Sequence, residues 1–278
     1  MREYTLRYQP LSAAALSLLV AGSASAETTR IEGRALLSPD EVRSSHFLAV
    51  DLGSGSRCVL AGSDLNSRHA PWSTFKIPNF LIALETGAAS GPEHAIAWDP
   101  IARPAATYWP DAWRQDQTLQ SAFKRSAAWY FQDVAQAVGS ERYRTFLQEW
   151  SYGNSAVPDG DDGFWLGGLL AISIEEQVAF IGMLLEGRLN VSSSHLEALF
   201  TVSTDLQLEN GTLYGKTGSG PTEAGNFNGD FEGWYVGWFQ SANADPIALA
   251  HYVRAQRYAD IRDFRRGAIP VLLEECGF

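Results

Sequence analysis

Lysine is almost missing from this chain of 278 residues: Lys76, Lys124 and Lys216 stand against 18 arginines. Lysine is therefore not the generic surface cation here. The distinction is chemical, because a buried lysine can give up its proton and arginine effectively cannot. Cysteine is scarce too. Cys58 and Cys276 allow one disulfide, tying an N-terminal strand to the C-terminal helix, or two buried thiols, and the sequence leaves both open. Positive charge is in deficit, with a formal net charge of −11. That argues against nucleic acid as a partner, since phosphate backbones need basic patches. It leaves room for an anionic small molecule held by a few local cations. The histidines (His46, His69, His94, His195 and His251) show no ligand spacing such as His-x-x-x-His, so a zinc centre is not expected and no metal is assigned. Beyond residue 26 no apolar run approaches the roughly 20 residues that span a bilayer.

The first 26 residues read as a targeting segment. Arg2 and Arg7 flank an apolar stretch, Leu11 to Val20, and Ala24-Ser25-Ala26 fits a cleavage site after Ala26. The apolar stretch is short for a stable membrane anchor, so a periplasmic or secreted chain is expected. Its removal takes away one net positive charge and leaves a still more acidic mature chain. Residues 27–278 are expected to form one domain with its own core.

Phe47 to Leu52, the turn Gly-Ser-Gly-Ser and Arg57 to Ala61 read as a hairpin. Phe75 to Leu84 has helical apolar spacing, and Pro78 is tolerable only in a first turn, which puts Ser73 at a helix start. Leu119 to Val138, Glu141 to Trp150 and Ser173 to Leu185 read as helices. Gly211 to Lys216, Gly233 to Phe239 and Ile247 to Val253 read as strands, and Ile261 to Glu275 as a closing helix. Strands, then helices, then strands and a helix predict an α+β fold. A mainly antiparallel sheet, built from about 27–80 and 205–278 and flanked by helices, would carry an inserted all-helical lobe over about 81–204.

Two of the three lysines close recognisable motifs, Ser73-Thr74-Phe75-Lys76 and Lys216-Thr217-Gly218. A lone Ser-x-x-Lys arises by chance about once per few hundred residues, and Ser121-Ala122-Phe123-Lys124 is a second copy. Position separates them. Ser73 lies at a helix start, where backbone N–H groups can stabilise an oxyanion; Ser121 lies inside a helical pattern. Ser73 and Lys76 are three apart and share a helix face. Taken singly, Ser126-Ala127-Ala128 is an ordinary small-residue helix surface, Tyr152-Gly153-Asn154 a turn, Phe164-Trp165-Leu166 an aromatic anchor, and Lys216-Thr217-Gly218 a charged strand end.

Their order and spacing together resemble the penicilloyl-serine superfamily, whose handles are Ser-x-x-Lys, a second serine element and Lys-Thr-Gly. Within it the chain resembles the class D, oxacillinase-type serine β-lactamases. Gly233-Trp234-Tyr235-Val236-Gly237-Trp238 and Arg266 near the C-terminus extend the likeness across nearly the whole mature chain. The resemblance implies hydrolysis of small-molecule β-lactams through an acyl-enzyme on Ser73. Lys76, carboxylated by carbon dioxide, would be the general base, Trp165 would donate a hydrogen bond to that carbamate, and Ser126 would relay a proton. No other cofactor is implied. Backbone N–H groups of Ser73 and Ser219 would hold the oxyanion. Lys216, Thr217 and Arg266 would fix the substrate carboxylate, with Tyr152, Asn154 and Gly218 also in the substrate site. The alternative is a non-hydrolytic β-lactam sensor or a transpeptidase-like penicillin-binding protein. One departure stands out: Ala128 occupies a position that is usually valine in this family, which puts the hydrophobicity around Lys76 in question, with Trp129 or Phe75 able to compensate. Glu186-Gly-Arg-Leu-Asn190 imitates the water-activating motif of class A enzymes but lies at the end of an apolar helix, and reads as a helix exit. Substrate spectrum, set by loops near Trp109, Trp165 and 221–232, and oligomeric state are not readable from the sequence.

Overall fold

The computed structural model describes residues 27–36 and 38–278; the targeting segment expected at 1–26 lies outside the described residues. Among the described residues there are nine strands: β1 (Thr28–Ile31), β2 (Val42–Asp51), β3 (Arg57–Leu60), β4 (Ala95–Ile96), β5 (Gln117–Thr118), β6 (Thr204–Leu208), β7 (Gly211–Pro221), β8 (Phe231–Ser241) and β9 (Ile247–Ala255). The helices are α1 (Lys76–Glu85), α2 (Leu119–Arg125), α3 (Ala128–Val138), α4 (Ser140–Glu149), α5 (Ile174–Leu185), α6 (Ser193–Ser203), α7 (Tyr258–Arg262), α8 (Phe264–Gly267) and α9 (Ile269–Cys276). Seven strands form one sheet in the order β1-β3-β2-β9-β8-β7-β6, with β4 and β5 pairing separately inside the helical lobe. β1 joins β3 in parallel; the other pairings in the large sheet are antiparallel. The α+β architecture and its helical insertion agree with the sequence expectation.

The sheet is buried on both faces, which explains why β8 reads as an unbroken apolar run rather than an alternation. Trp234, Val236 and Trp238 face the larger core, shared with α1, α3 and α5. Tyr235 and Phe239 face a second core closed by Leu272 and Leu273 of α9. Cys58 and Cys276 are joined, so β3 is tied to α9. No helix among the described residues is long and apolar enough to cross a membrane.

Two expected helices are broken. The stretch Leu119–Val138 divides at Ser126, which is left-handed at φ 63°, although the apolar spacing runs on across the joint. The closing helix is three short segments rather than one, with α9 starting beside Pro270. Ser121 is the third residue of α2 and forms a capping box with Thr118.

Candidate active site

A 3₁₀ turn, Trp72–Phe75, runs directly into α1, so Ser73 sits on the turn and Lys76 is the first residue of the helix. Pro78 falls in the first turn of α1, where its missing N–H costs nothing. Ser73 is half-exposed while Lys76 is fully buried, and Lys76 Nζ lies 3.0 Å from Ser73 Oγ. The ammonium would be expensive in this setting. Burial, and then the charge of Lys216, hold the Lys76 amine well below its ordinary pKa.

Phe131 of α3 presents its ring 5.2 Å from Lys76 Nζ. Phe75 stacks on Trp165 at 5.2 Å and meets Phe164 and Tyr152 edge-on. Of the two residues expected to compensate for Ala128, Phe75 belongs to this aromatic group, whereas Trp129 donates its indole N–H to the Trp113 carbonyl. Phe131 is a further apolar wall. It was missed because the aromatic run Trp129-Tyr130-Phe131 does not say which ring faces inward. Trp165 is buried, and its Nε1–H has no acceptor among the described residues.

Strand β7 brings in the second motif. A Cβ built on Gly218 would lie 2.9 Å from Ser73 N and 2.8 Å from Thr74 N and Pro71 O, so the strand passes the Ser73 turn at a distance only glycine allows. β6 pairs with β7 only as far as Tyr214. From Gly215 onward that edge of β7 has no strand partner among the described residues, although the Thr217 carbonyl accepts from Lys216 Nζ at 3.0 Å; such an unpaired edge can receive a ligand. Lys216 is buried with Gly218 and Gly220, whereas Thr217 and Ser219 are half-exposed, as a two-residue period requires. Burial, then the nearby Arg265, push the Lys216 amine down to about 7, with Asp205 opposing them.

A cavity of about 280 Å³ opens beside this strand, lined among others by Lys124, Lys216, Thr217, Asp205 and Arg266. Lys124 thus reaches the cavity although Ser121, its partner in the second Ser-x-x-Lys, is committed to Thr118 and Gln117. Arg266 is exposed, with Nη1 3.3 Å from Asp205 Oδ1, and its neighbour Arg265 is buried and donates to the Gly218 carbonyl. Asp205 and Arg265 had no sequence signal; each is defined only by what the fold places next to it.

Ser126 occupies the left-handed joint between α2 and α3 and is half-buried. Tyr152 and Asn154 do not line this cavity, and neither do Ser73, Ser126, Gly218 or Ser219. Tyr152 is fully buried beneath Phe75 and Phe180, its hydroxyl facing Gln177. Asn154 is exposed but committed: its side chain donates to the Leu169 carbonyl and accepts from Ala156 and Ala171 N–H, stapling the loop that carries Trp165. Glu186 caps the end of α5 and pairs with Arg188, as a helix exit would.

A serine beside a buried amine, facing a glycine-lined strand with cations beyond, is the arrangement of the penicilloyl-serine proteins. Residues 46–263 match the penicillin binding protein transpeptidase domain. The chain is 32% identical over 205 residues to the probable β-lactamase YbxI of Bacillus subtilis, covering 74% of this chain and 73% of that protein. Its fold matches a class D β-lactamase from Sebaldella termitidis with a TM-score of 0.80 at 26% identity, covering 91% of this chain and 99% of that one. It is also 34% identical over 195 residues to the regulatory protein BlaR1 of Bacillus licheniformis, covering 69% of this chain and 30% of that protein. The chain belongs to the penicillin-binding transpeptidase superfamily and, within it, to the class D serine β-lactamases.

Proposed function

We propose that this enzyme hydrolyses β-lactam antibiotics through an ester on Ser73, with Lys76 carboxylated as its base. The observation that carries the reading is the fully buried Lys76 amine 3.0 Å from Ser73 Oγ. Burial favours the neutral amine over the ammonium there, the neutral amine is the form nucleophilic toward carbon dioxide, and the residues around it fit the product. The orphaned Trp165 N–H is a buried donor in need of an acceptor. Lys216 and its charge, which oppose an ammonium at Lys76, would attract an anion. Carboxylation supplies Lys76 with an oxygen anion basic enough to take a proton from a hydroxyl or a water.

Ser73 Oγ attacks the lactam carbonyl, and the carbonyl oxygen becomes an oxyanion facing the N–H groups of Ser73 and Ser219. The C–N bond breaks, and Ser126 passes a proton to the departing nitrogen. Water then attacks the Ser73 ester, releasing the opened product and the free serine. Lys216, Thr217 and Arg266 hold the substrate carboxylate, for which Arg266 is the bidentate partner; the incoming carboxylate displaces Asp205 from it. The disulfide supports a periplasmic or secreted location, since such bonds persist in oxidising compartments.

The likeness to BlaR1 supports a second reading, in which the acyl group is held rather than released. Mixing the protein with a chromogenic cephalosporin decides between them. Product in large excess over enzyme is expected; a burst that stops at one equivalent would establish the sensor. Ser73→Ala should form no ester, and Lys76→Ala should fail to acylate or should trap the ester.

A further inference from the structure

The residue before the nucleophile is unusual. Trp72 is left-handed, at φ 51°, a conformation that a bulky aromatic side chain rarely adopts and that persists only where surroundings enforce it. Three contacts enforce it. The Trp72 N–H donates to the Trp165 carbonyl at 3.1 Å. Its ring lies in a slot between two glycines: a Cβ on Gly220 would come within 2.3 Å of it, and one on Gly167 within 2.9 Å. Its indole Nε1–H donates to Glu232 Oε1 at 2.6 Å.

Glu232, on β8, is only 5% exposed. Its other oxygen accepts from the Tyr252 hydroxyl at 2.8 Å and lies 3.5 Å from His69 Nδ1. His69 stacks on Tyr252 at 4.1 Å and bridges by its backbone to Ile172, while the Trp234 indole donates to the Ala70 carbonyl. The segment from His69 to Trp72 is therefore strapped to β8 and β9 on one side and to the Trp165 loop on the other. A buried carboxylate is a costly way to fill space unless its geometry matters.

We propose that the Trp72–Glu232 hydrogen bond is a positioning device for the nucleophile. Locking Trp72 left-handed fixes the direction of the next peptide unit, so the Ser73 N–H points at the oxyanion site and Ser73 Oγ at Lys76. Trp72 and Glu232 are positioning residues, since neither touches the substrate carbonyl. The strap also leads from the nucleophile turn to the loop carrying Trp165, so the two halves of the base assembly share one support. The inference rests on the reading that Ser73 is acylated, and it assigns the effect to acylation. The attack angle of Oγ matters only while the ester forms, whereas the Ser73 N–H faces an oxyanion in both steps, so acylation is the step that senses both consequences of the lock.

The test is pre-steady-state labelling with a fluorescent penicillin, separating the acylation rate constant from the dissociation constant of the first complex. Glu232→Ala, and Trp72→Phe, which keeps a ring in the slot and loses only the N–H, should each slow acylation about tenfold or more. The dissociation constant should change less than about threefold. Glu232→Gln, whose side-chain carbonyl can accept the same N–H, should return the rate to within about threefold of the parent. If Glu232→Ala does not fold, Trp72→Phe against Glu232→Gln carries the comparison. Acylation at the parent rate in Trp72→Phe, or a Gln variant as slow as the Ala variant, would overturn the inference. A parent protein that is not labelled at Ser73 would overturn the acyl-enzyme reading and this inference with it; a labelled parent with unaffected variants overturns this inference alone.

Discussion

Lys76 and Lys216 are both buried, the first 3.0 Å from the Ser73 hydroxyl and the second on the strand whose Gly218 passes the Ser73 turn, and burial disfavours the charge of each. For Lys76 the sign of the consequence is fixed by linkage. Its folded pKa lies below its unfolded value, so between the two the unfolded chain binds the extra proton and stability rises with pH. At neutral pH the native state therefore bears a cost that a nonpolar side chain would not. In bicarbonate-depleted buffer, Lys76→Met should raise the melting temperature by a few degrees while abolishing turnover. Adding bicarbonate should raise the parent's melting temperature and leave the variant's unchanged, because only the parent binds the added group in its folded state. A variant that melts lower than its parent in depleted buffer would contradict the assignment. Lys216 titrates at about 7 and attracts a carboxylate only when protonated. In depleted enzyme the dissociation constant of the first complex with a penicillin should therefore climb as pH passes upward through about 7, and a flat profile would remove Lys216 from the substrate site.

At the scale of elements, the free edge of β7 and the turn before α1 meet through glycines. Gly220→Ala places a methyl group into the Trp72 ring, a rigid neighbour in a filled slot. The expected penalty is about 1–3 kcal/mol, read as a lower denaturation midpoint. Much of this layer was legible. Pro78 located the start of α1, and Gly233 to Phe239 was legible as a strand, though not that both of its faces are buried. The break at Ser126 was not legible, because Phe123, Ala127 and Phe131 keep helical spacing across it and no glycine or proline marks the left-handed residue. Tyr152-Gly153-Asn154 read correctly as a turn, but its place in the substrate site came from family likeness. The fold gives Tyr152 to the core and Asn154 to the Trp165 loop. Trp72 and Glu232 are 160 residues apart; nothing local in either segment announces their contact.

On the scale of the whole molecule, the sheet is assembled from both ends of the chain around a helical insertion, and the Cys58–Cys276 bond closes that circuit over 218 residues. A cross-link across so long a loop should contribute about 2–5 kcal/mol. Reduction should lower the melting temperature clearly yet leave room-temperature turnover intact, because α9 packs on the sheet face opposite the larger core that holds Lys76's surroundings. Equal melting with and without reductant would mean the bond carries no stability. The scarcity of lysine also acquires a meaning at this scale. Lys76 lies beside the reacting serine, and Lys216 and Lys124 line the cavity along β7, while arginines supply the surface ion pairs. The central claim is that Lys76 works as a carbamate. It is tested most directly by carbon-13 NMR of the protein in labelled bicarbonate at neutral pH. One protein-bound carbamate resonance is predicted, lost on acidification and absent from Lys76→Met; a spectrum without that resonance, from enzyme that still hydrolyses penicillin, would contradict it.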